Sequence, residues 1–483
     1  MGVLNFISAS ELASLINSRE VSVTEVIDVY LSQIQRHNGN LNAIVTLDEE
    51  GARMRAMEAD AVLARGVTWG PLHGVPVTIK DTLETAGMRT TAGFPPLSDY
   101  IPTVDATVVT RVRQAGAIIL GKTNLPTLAA TYQSDNPIFG RCNNPWNLER
   151  TPGGSTGGGA AAVAAGLSAL EIGSDLGGSL RIPAHFCGLC AIMATNHRIS
   201  RIGHIPELPG SPRGLRFAGV VGPIARSVCD LRLAIRLLAG PDDFWWEVPP
   251  VPLEDVSPRR LQDLRIAWFD DFEGVPVTAE TRAGMTKLAK ELVQVRATVA
   301  RTMPEDFDLD LASETFGELV SAESGSAMSL DAELARAEVF ATDRDPEDPF
   351  TRGFLRGVNA SMRQITLARM KRDALISAME RFLKDWDVLL CPVTPSPAPP
   401  HSTVGSPINV DGLQVPYWKA GGGYTIPFNL TGQPVVVIPL THSSEGLPIG
   451  IQVIGRRWGE MPLLQIAEQL EAHIGAFTHP QGY

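Results

Sequence analysis

Residues 150–166 read RTPGGSTGGGAAAVAAG, one serine and one threonine set among five glycines and followed by alanines. The alanine-rich part predicts a small-residue helix over about 157–166, so Ser155 sits in a glycine loop at its entrance. Three chemistries use such a loop. A phosphate loop needs a lysine after its glycines, and here Ala160 and Ala161 stand there. A nucleophile elbow, G-x-S-x-G, is matched by Gly153-Gly154-Ser155-Thr156-Gly157. That reading makes the protein an α/β-hydrolase-like esterase using Ser155, with a late histidine such as His442 or His473. An elbow also needs a strand before it, and NPWNLERTPGGS at 144–155 is loop-like. The third chemistry draws on a second cluster, GSDLGGSLRIP at 173–183, with Ser179 directly after Gly177-Gly178. Glycine reaches positive φ freely, so consecutive N–H groups there can converge on one oxyanion beside the serine that generates it. Upstream, Lys80 ends the β-branched run GVPVTIKD, and a serine–lysine pair is an established alternative to Ser-His-Asp.

Working outward, residues 8–60 read as helical, with a capping box at Ser22-Val-Thr-Glu25 and apolar residues at helical spacing after it. LHGVPVTIKD predicts a strand ending at Lys80-Asp81. DATVVTRVRQAGAIILGKTN, 105–124, predicts a helix, a stop at Gly116 and a buried strand over 117–120. A short strand is expected near 169–173. Residues 262–300 repeat a strand–helix–strand rhythm, and 313–385 are mostly helical and charged. WDVLLCPVTPSPAPP, PVVVIPL and PIGIQVIG predict three more strands, and a last helix covers about 460–472. The proline-rich segment 240–258 is the best candidate boundary but reads as a loop. The expectation is α/β: a single large domain over 1–483 with a central mixed β-sheet covered by helices on both faces. Within it lie an N-terminal helical segment (8–60), a core (61–240) and a variable helical region (310–385).

The formal net charge of −12, with no lysine–arginine block, argues against nucleic acid and anionic membrane as partners. Five cysteines are too few and too odd for a disulfide framework, and they suit a reducing compartment. Cys187 and Cys190 form a C-x-x-C that no second pair completes into a zinc site. They read as small buried residues, and no metal or cofactor is implied. MGVLNFISASELAS has neither a basic start nor a long apolar run, and GGGAAAVAAGLSALEIG is too weakly apolar to span a bilayer. A cytoplasmic location is the expectation.

The set GVPVTIKD, RTPGGSTGGGAAAVAAG and GSDLGGSLRIPAHFCGL, in this order and at these separations, resembles the amidase signature family. GKTNLP, GPIARSVCDL and NLTGQPVVVIPL followed by GLPIGIQVIG extend the likeness from about residue 8 to 472. The resemblance implies that Ser179 is the nucleophile, that Ser155 sits on a cis peptide bond and bridges Ser179 to Lys80, and that neutral Lys80 is the base. It implies an oxyanion hole from the N–H groups of Leu176, Gly177, Gly178 and Ser179, with Asp175 and Arg181 holding the loop. A free lysine, with pKa about 10.4, is a poor base; burial at the end of an apolar strand lowers it.

Departures are few. CAIMATNHRIS at 190–200 has Met193, Ala194 and Thr195 across the stretch where the family usually has Gly-Leu-Lys-Pro-Thr, which points to altered packing behind the site. Thr156 stands where a second serine is common, and Ser174 where threonine is usual. The expected activity is cleavage of small-molecule amides through an acyl-enzyme, with carbamates (urethanes) and esters open to the same chemistry. Tyr132, Phe139, Phe350, Phe354, Tyr417, Trp418 and Tyr424 are candidate pocket aromatics, and the glycines at 421–423 suggest a mobile loop. Two other readings stay open: a glutaminase-type subunit of an amidotransferase complex, and a non-enzymatic binding protein.

Overall fold

The computed structural model describes residues 4–205, 214–244, 246–254, 256–257, 259–272, 275–326, 328–342, 344–475 and 477–483. Thirteen strands occur among them: β1 (Ile44–Leu47), β2 (Pro76–Lys80), β3 (Ile118–Thr123), β4 (Leu170–Asp175), β5 (Cys190–Met193), β6 (Val220–Ala225), β7 (Arg265–Trp268), β8 (Thr298–Arg301), β9 (Val388–Pro392), β10 (Ile408–Val410), β11 (Leu413–Val415), β12 (Val435–His442) and β13 (Pro448–Ile454). Eleven of them form one mixed sheet in the order β1-β3-β2-β4-β6-β5-β12-β13-β9-β7-β8, and β10 and β11 make a separate hairpin.

The helices are α1 (Ala9–Asn17), α2 (Val23–Leu41), α3 (Glu49–Ala64), α4 (Thr107–Gln114), α5 (Gly157–Ala164), α6 (Arg181–Cys187), α7 (Val228–Leu238), α8 (Ala279–Gln294), α9 (Leu309–Gly325), α10 (Leu330–Thr342), α11 (Pro349–Gly357), α12 (Met362–Asp385), α13 (Tyr417–Gly422), α14 (Ile426–Thr431) and α15 (Glu460–Ile474). Side chains alternate between the faces of a strand, and β12 shows how both faces are covered. Val436 and Ile438 pack in one cluster with Leu231 of α7 and Leu464 of α15. Val437 packs with Val163 of α5 and Phe186 of α6, and Val435 with Phe316 of α9 and Leu375 of α12. Burial from both sides explains why the central strands are almost uninterrupted apolar runs.

Expected and observed elements differ in places. The segment 8–60 is not helical throughout, because β1 interrupts it and pairs with β3 at the sheet edge. The capping box does form: Ser22 Oγ accepts from the Glu25 N–H at 3.1 Å, and Glu25 Oε2 accepts from the Ser22 N–H at 2.8 Å. The strand expected at 117–120 runs on to Thr123, since Lys122 and Thr123 are buried with polar partners of their own. The segment 240–258 is no boundary in the sheet, which takes strands from both sides of it. Cys187 and Cys190 are free and buried, and Cys190 Sγ donates to Glu471.

One feature of this topology positions the site. β2 and β4 are parallel neighbours, with Val77, Thr78 and Ile79 opposite Leu170, Glu171 and Ile172. Their carboxyl ends therefore reach the same sheet edge, where α/β sheets form their binding crevices. Lys80 ends one strand and Asp175 the other.

Candidate active site

Lys80 has no solvent exposure. Its Nζ donates to Ser155 Oγ at 2.7 Å and to Ser174 Oγ at 3.1 Å, with the Ser174 carbonyl at 3.4 Å. Burial pushes its pKa down to about 7, against the smaller upward pull of Asp175 and Glu171. Neither carboxylate forms an ion pair with it. The neutral, proton-accepting amine is therefore far more populated at neutral pH than in a free lysine.

The Gly154–Ser155 peptide bond is cis, and Ser155 is buried. Gly154 is there for space: a Cβ would lie 2.7 Å from the Thr131 carbonyl oxygen and 2.8 Å from the Gln133 nitrogen, both backbone. The Thr156 N–H donates to the Ser179 carbonyl at 3.1 Å, and Thr156 Oγ1 donates to the Ser174 carbonyl at 3.2 Å. These two bonds lock the Ser155 loop to the Ser179 loop. The Lys80–Ser155 contact is formed; the Ser155 and Ser179 hydroxyls share no hydrogen bond. Ser179 faces a cavity of about 420 Å³ that Leu176 and Gly177 also line.

Asp175 shapes the Ser179 loop from behind. Its carboxylate accepts from the Gly178 N–H at 2.8 Å, the Leu180 N–H at 3.0 Å, and Arg181 Nε and Nη2 at 3.1 and 3.0 Å. Both partners are fully buried, so this is not a surface ion pair. Burial alone would raise the Asp175 pKa, but the Arg181 charge and the hydrogen bonds from Arg181, Asn429 and Leu180 hold it at about 2. Arg181 Nη1 spends its hydrogens on the Thr425 carbonyl and Gln452 Oε1. Gly178, at φ +119°, gives its N–H to Asp175, so of the four N–H groups expected to face an oxyanion this one already has an acceptor. Among the described residues the N–H groups of Leu176, Gly177 and Ser179 have no acceptor.

Behind Lys80 lies a buried set that the sequence reading missed. Glu171 accepts from Thr78 Oγ1 at 2.6 Å and Thr123 Oγ1 at 2.7 Å, and burial raises its pKa to about 7. Lys122 donates to Thr90 Oγ1 and the Leu83 carbonyl, and burial lowers its pKa to about 8. The available signal was a charged residue in the interior of each of two buried strands, Glu171 in LEIGSD and Lys122 in IILGKT.

The amidase family's sequence pattern matches residues 25–464 of this chain. The chain belongs to the amidase signature family. It is 30% identical to a glutamyl-tRNA(Gln) amidotransferase subunit from Psychrobacter sp., over 99% of this chain and 98% of that one. It is 32% identical to the indoleacetamide hydrolase of Bradyrhizobium diazoefficiens, over 98% of this chain and 87% of that one. Among solved structures, a bacterial aryl acylamidase of the amidase signature enzymes superposes with a TM-score of 0.81 at 25% identity, covering 97% of this chain and 96% of that one.

In this family member the cavity draws on some of the expected aromatics and not others. Tyr132, Phe350, Phe354 and Trp418 line it. Phe139 does not: its ring lies 5.0 Å from the Arg89 guanidinium, and its carbonyl anchors Asn42. Tyr424 does not either. It is a core residue, stacked 4.5 Å from Phe272, with its hydroxyl donating to the Val275 carbonyl at 2.6 Å. Tyr417 stands behind the wall, accepting from the Tyr132 N–H at 3.0 Å. The glycines at 421–423 form the end of α13 and its cap rather than a free loop, and Gly421 packs directly under the Tyr132 ring. Sequence reasoning missed Phe316, Phe340, Arg336 and Arg344 in the lining.

Neither histidine expected for an elbow chemistry joins Ser155: His442 packs on Trp146, and His473 faces Glu291. Among the described residues no three His, Cys, Asp or Glu side chains gather as a metal site, and no helix is long and apolar enough to cross a membrane.

Proposed function

We propose that the protein hydrolyses amides of apolar, aromatic-sized groups by a serine acyl-enzyme route, with carbamates and esters as further substrates. The observation that carries this reading is the fully buried Lys80 amine, 2.7 Å from Ser155 Oγ, beneath a Ser179 that faces an aromatic-lined cavity. When Lys80 is neutral its contact with Ser155 reverses, and the Ser155 O–H donates to Nζ. Substrate brings the carbonyl carbon to Ser179 Oγ. The Ser179 proton passes to Ser155 Oγ as the Ser155 proton passes to Lys80. Apo catalytic hydrogen bonds commonly close only in the substrate complex, which accommodates the open Ser155–Ser179 step.

The carbonyl oxygen becomes an oxyanion facing the free N–H groups of Leu176, Gly177 and Ser179. Collapse breaks the C–N bond, and the proton returns through Ser155 to the departing amine. Water then attacks the acyl-enzyme, gives its proton to the same relay, and releases the acid with Ser179 restored. With a carbamate, collapse breaks the ester C–O bond instead and the proton returns to the departing alcohol; water then releases a carbamic acid from Ser179, which loses carbon dioxide to leave the amine.

A second reading, a glutaminase-type subunit, is favoured by the names of relatives such as the Psychrobacter protein. The aromatic lining supports the first. The test is labelling with a fluorophosphonate probe and hydrolysis of an aryl anilide, a primary amide, an aryl carbamate and an aryl ester. Ser179→Ala is expected to lose labelling and at least about 10³-fold in kcat on every substrate. Full activity in that variant refutes the assignment, and glutamine hydrolysis that appears only with partner proteins selects the second reading.

A further inference from the structure

The cavity beside Ser179 is apolar on most of its wall, yet two arginines and, among the described residues, no acidic side chain line it. Arg336 is engaged through both terminal nitrogens, Nη1 donating to Ser324 Oγ at 2.7 Å and Nη2 to the Ser321 carbonyl at 3.1 Å, and only its Nε is buried with no partner among the described residues. Arg344 is held differently. Its guanidinium carbon lies 3.4 Å from the ring centre of Phe340 and 3.6 Å from that of Trp418, with Phe350 at 5.7 Å. Nη1 is buried with no hydrogen-bond partner among the described residues. Among those residues no carboxylate reaches ion-pair distance. Asp348, within electrostatic range, is spent capping α11, where it accepts from the Thr351 N–H and Oγ1.

This is an unusual way to keep a cation. Aromatic faces stabilise a guanidinium through its plane, but its N–H groups point outward along that plane. A buried N–H without an acceptor carries the full cost of its lost hydration. Burial accordingly pushes the Arg344 pKa down to about 9, with only partial compensation from Tyr132, Asp348 and Tyr417, and the group remains charged at neutral pH. The missing element is an acceptor of opposite charge, and a carboxylate matches the guanidinium fork in two parallel hydrogen bonds. The position is set by neighbouring rings: Trp418 is 5.7 Å from Tyr132, and the Tyr132 hydroxyl reaches the Gly177 segment of the Ser179 loop. Arg344 thus lines the same cavity as Ser179, linked to the Ser179 loop through Trp418 and Tyr132.

We propose that Arg344 is a specificity-determining residue that selects substrates whose cavity-bound part is an apolar chain or ring ending in a carboxylate. The proposal rests on the reading that this cavity is the substrate site. Recognition divides into two parts: Phe340, Phe354 and Trp418 take the apolar length, and Arg344 takes its charged end. A neutral substrate of the same length leaves Arg344 unpaired, and a cationic end is repelled.

The test separates binding from turnover. 4-Phenylbutyrate and 4-phenylbutan-1-ol share a ring and chain, differ in the end group, and contain no bond the enzyme can hydrolyse. Calorimetry on the wild-type protein is expected to give at least tenfold tighter binding of the carboxylate. Arg344→Met is expected to remove most of that preference, and Arg344→Lys, which keeps the charge but not the stacked plane, to retain part of it. Equal binding, tighter binding of the alcohol, no binding of either, or a preference that survives in Arg344→Met overturns the proposal. Turnover is read separately as kcat/KM for the 4-nitroanilide of hexanoic acid against the mono-4-nitroanilide of adipic acid. A tenfold advantage for the adipic compound, reduced in Arg344→Met, supports the proposal. If both are cleaved equally and the two probes bind equally, the anion site fails while the hydrolase reading stands. If neither is cleaved while phenylbutyrate binds preferentially, the hydrolase reading fails and the anion site stands.

Discussion

Replacing Lys80 with methionine should abolish turnover and yet make the protein more stable at acid and neutral pH. Lys80 is fully buried, without an ion pair, and its pKa falls from 10.5 to about 7. At about 1.36 kcal/mol per pKa unit, holding the charged amine in that site costs about 4–5 kcal/mol. The sign follows from proton counts. Below pH 7 both folded and unfolded forms carry the proton, so the whole penalty is present. Between pH 7 and about 10.4 the unfolded chain binds more protons than the folded one, and the penalty is relieved as pH rises. Lys80→Met removes the penalty but also the hydrogen bonds to Ser155 and Ser174, each worth about 1 kcal/mol. The net expectation is stabilisation by about 2–3 kcal/mol at pH 6, falling to near zero at about pH 9. Urea unfolding of both proteins at pH 6, 7.5 and 9 measures it. A variant less stable than wild type at pH 6, or a difference that does not shrink toward pH 9, refutes the account of Lys80 as a base prepared by burial.

Two further outcomes follow from the same geometry. If neutral Lys80 starts the proposed relay, kcat/KM for an anilide should rise about tenfold per pH unit up to about pH 7 and then level; a profile still climbing at pH 9 means that the amine titrates near its free value. Arg181→Met leaves the Asp175 carboxylate buried without its cation and should cost about 3–5 kcal/mol in urea unfolding, whereas a loss under 1 kcal/mol means the pair does not hold the Ser179 loop.

Local patterns carried much of this molecule. The capping box at Ser22, the helix entrance after Ser155, the buried strands ending at Lys80 and Asp175 and the last helix from Glu460 are all decided within a few residues of chain, by side-chain caps, small residues and apolar runs. Lys80, Ser155 and Ser179 could be named because each sits inside a short, unusual motif.

Other features depended on partners far away in the chain. β1 is a strand only because β3 offers it an edge, and a four-residue segment between two helices has no strong preference of its own. Whether an aromatic lines a cavity or a core is settled by what packs against it. Tyr424 and Trp418 are six residues apart, yet Phe272 and the Val275 carbonyl claim Tyr424 for the core, while Tyr132 and Arg344 leave Trp418 at the cavity. The Gly178 N–H, expected among the oxyanion donors, is held by Asp175, a contact that glycine spacing alone does not reveal. Phe340 and Arg344, in a charged stretch with no motif, line the cavity only because α9, α11 and α13 supply its other walls. Residue type and short-range spacing thus set most of the elements and singled out Lys80, Ser155 and Ser179 as the candidate reactive groups. The lowering of the Lys80 pKa, the set of N–H groups left without an acceptor and the charge on the cavity wall could come only from the folded chain, because each depends on burial and on contacts between segments remote in the chain.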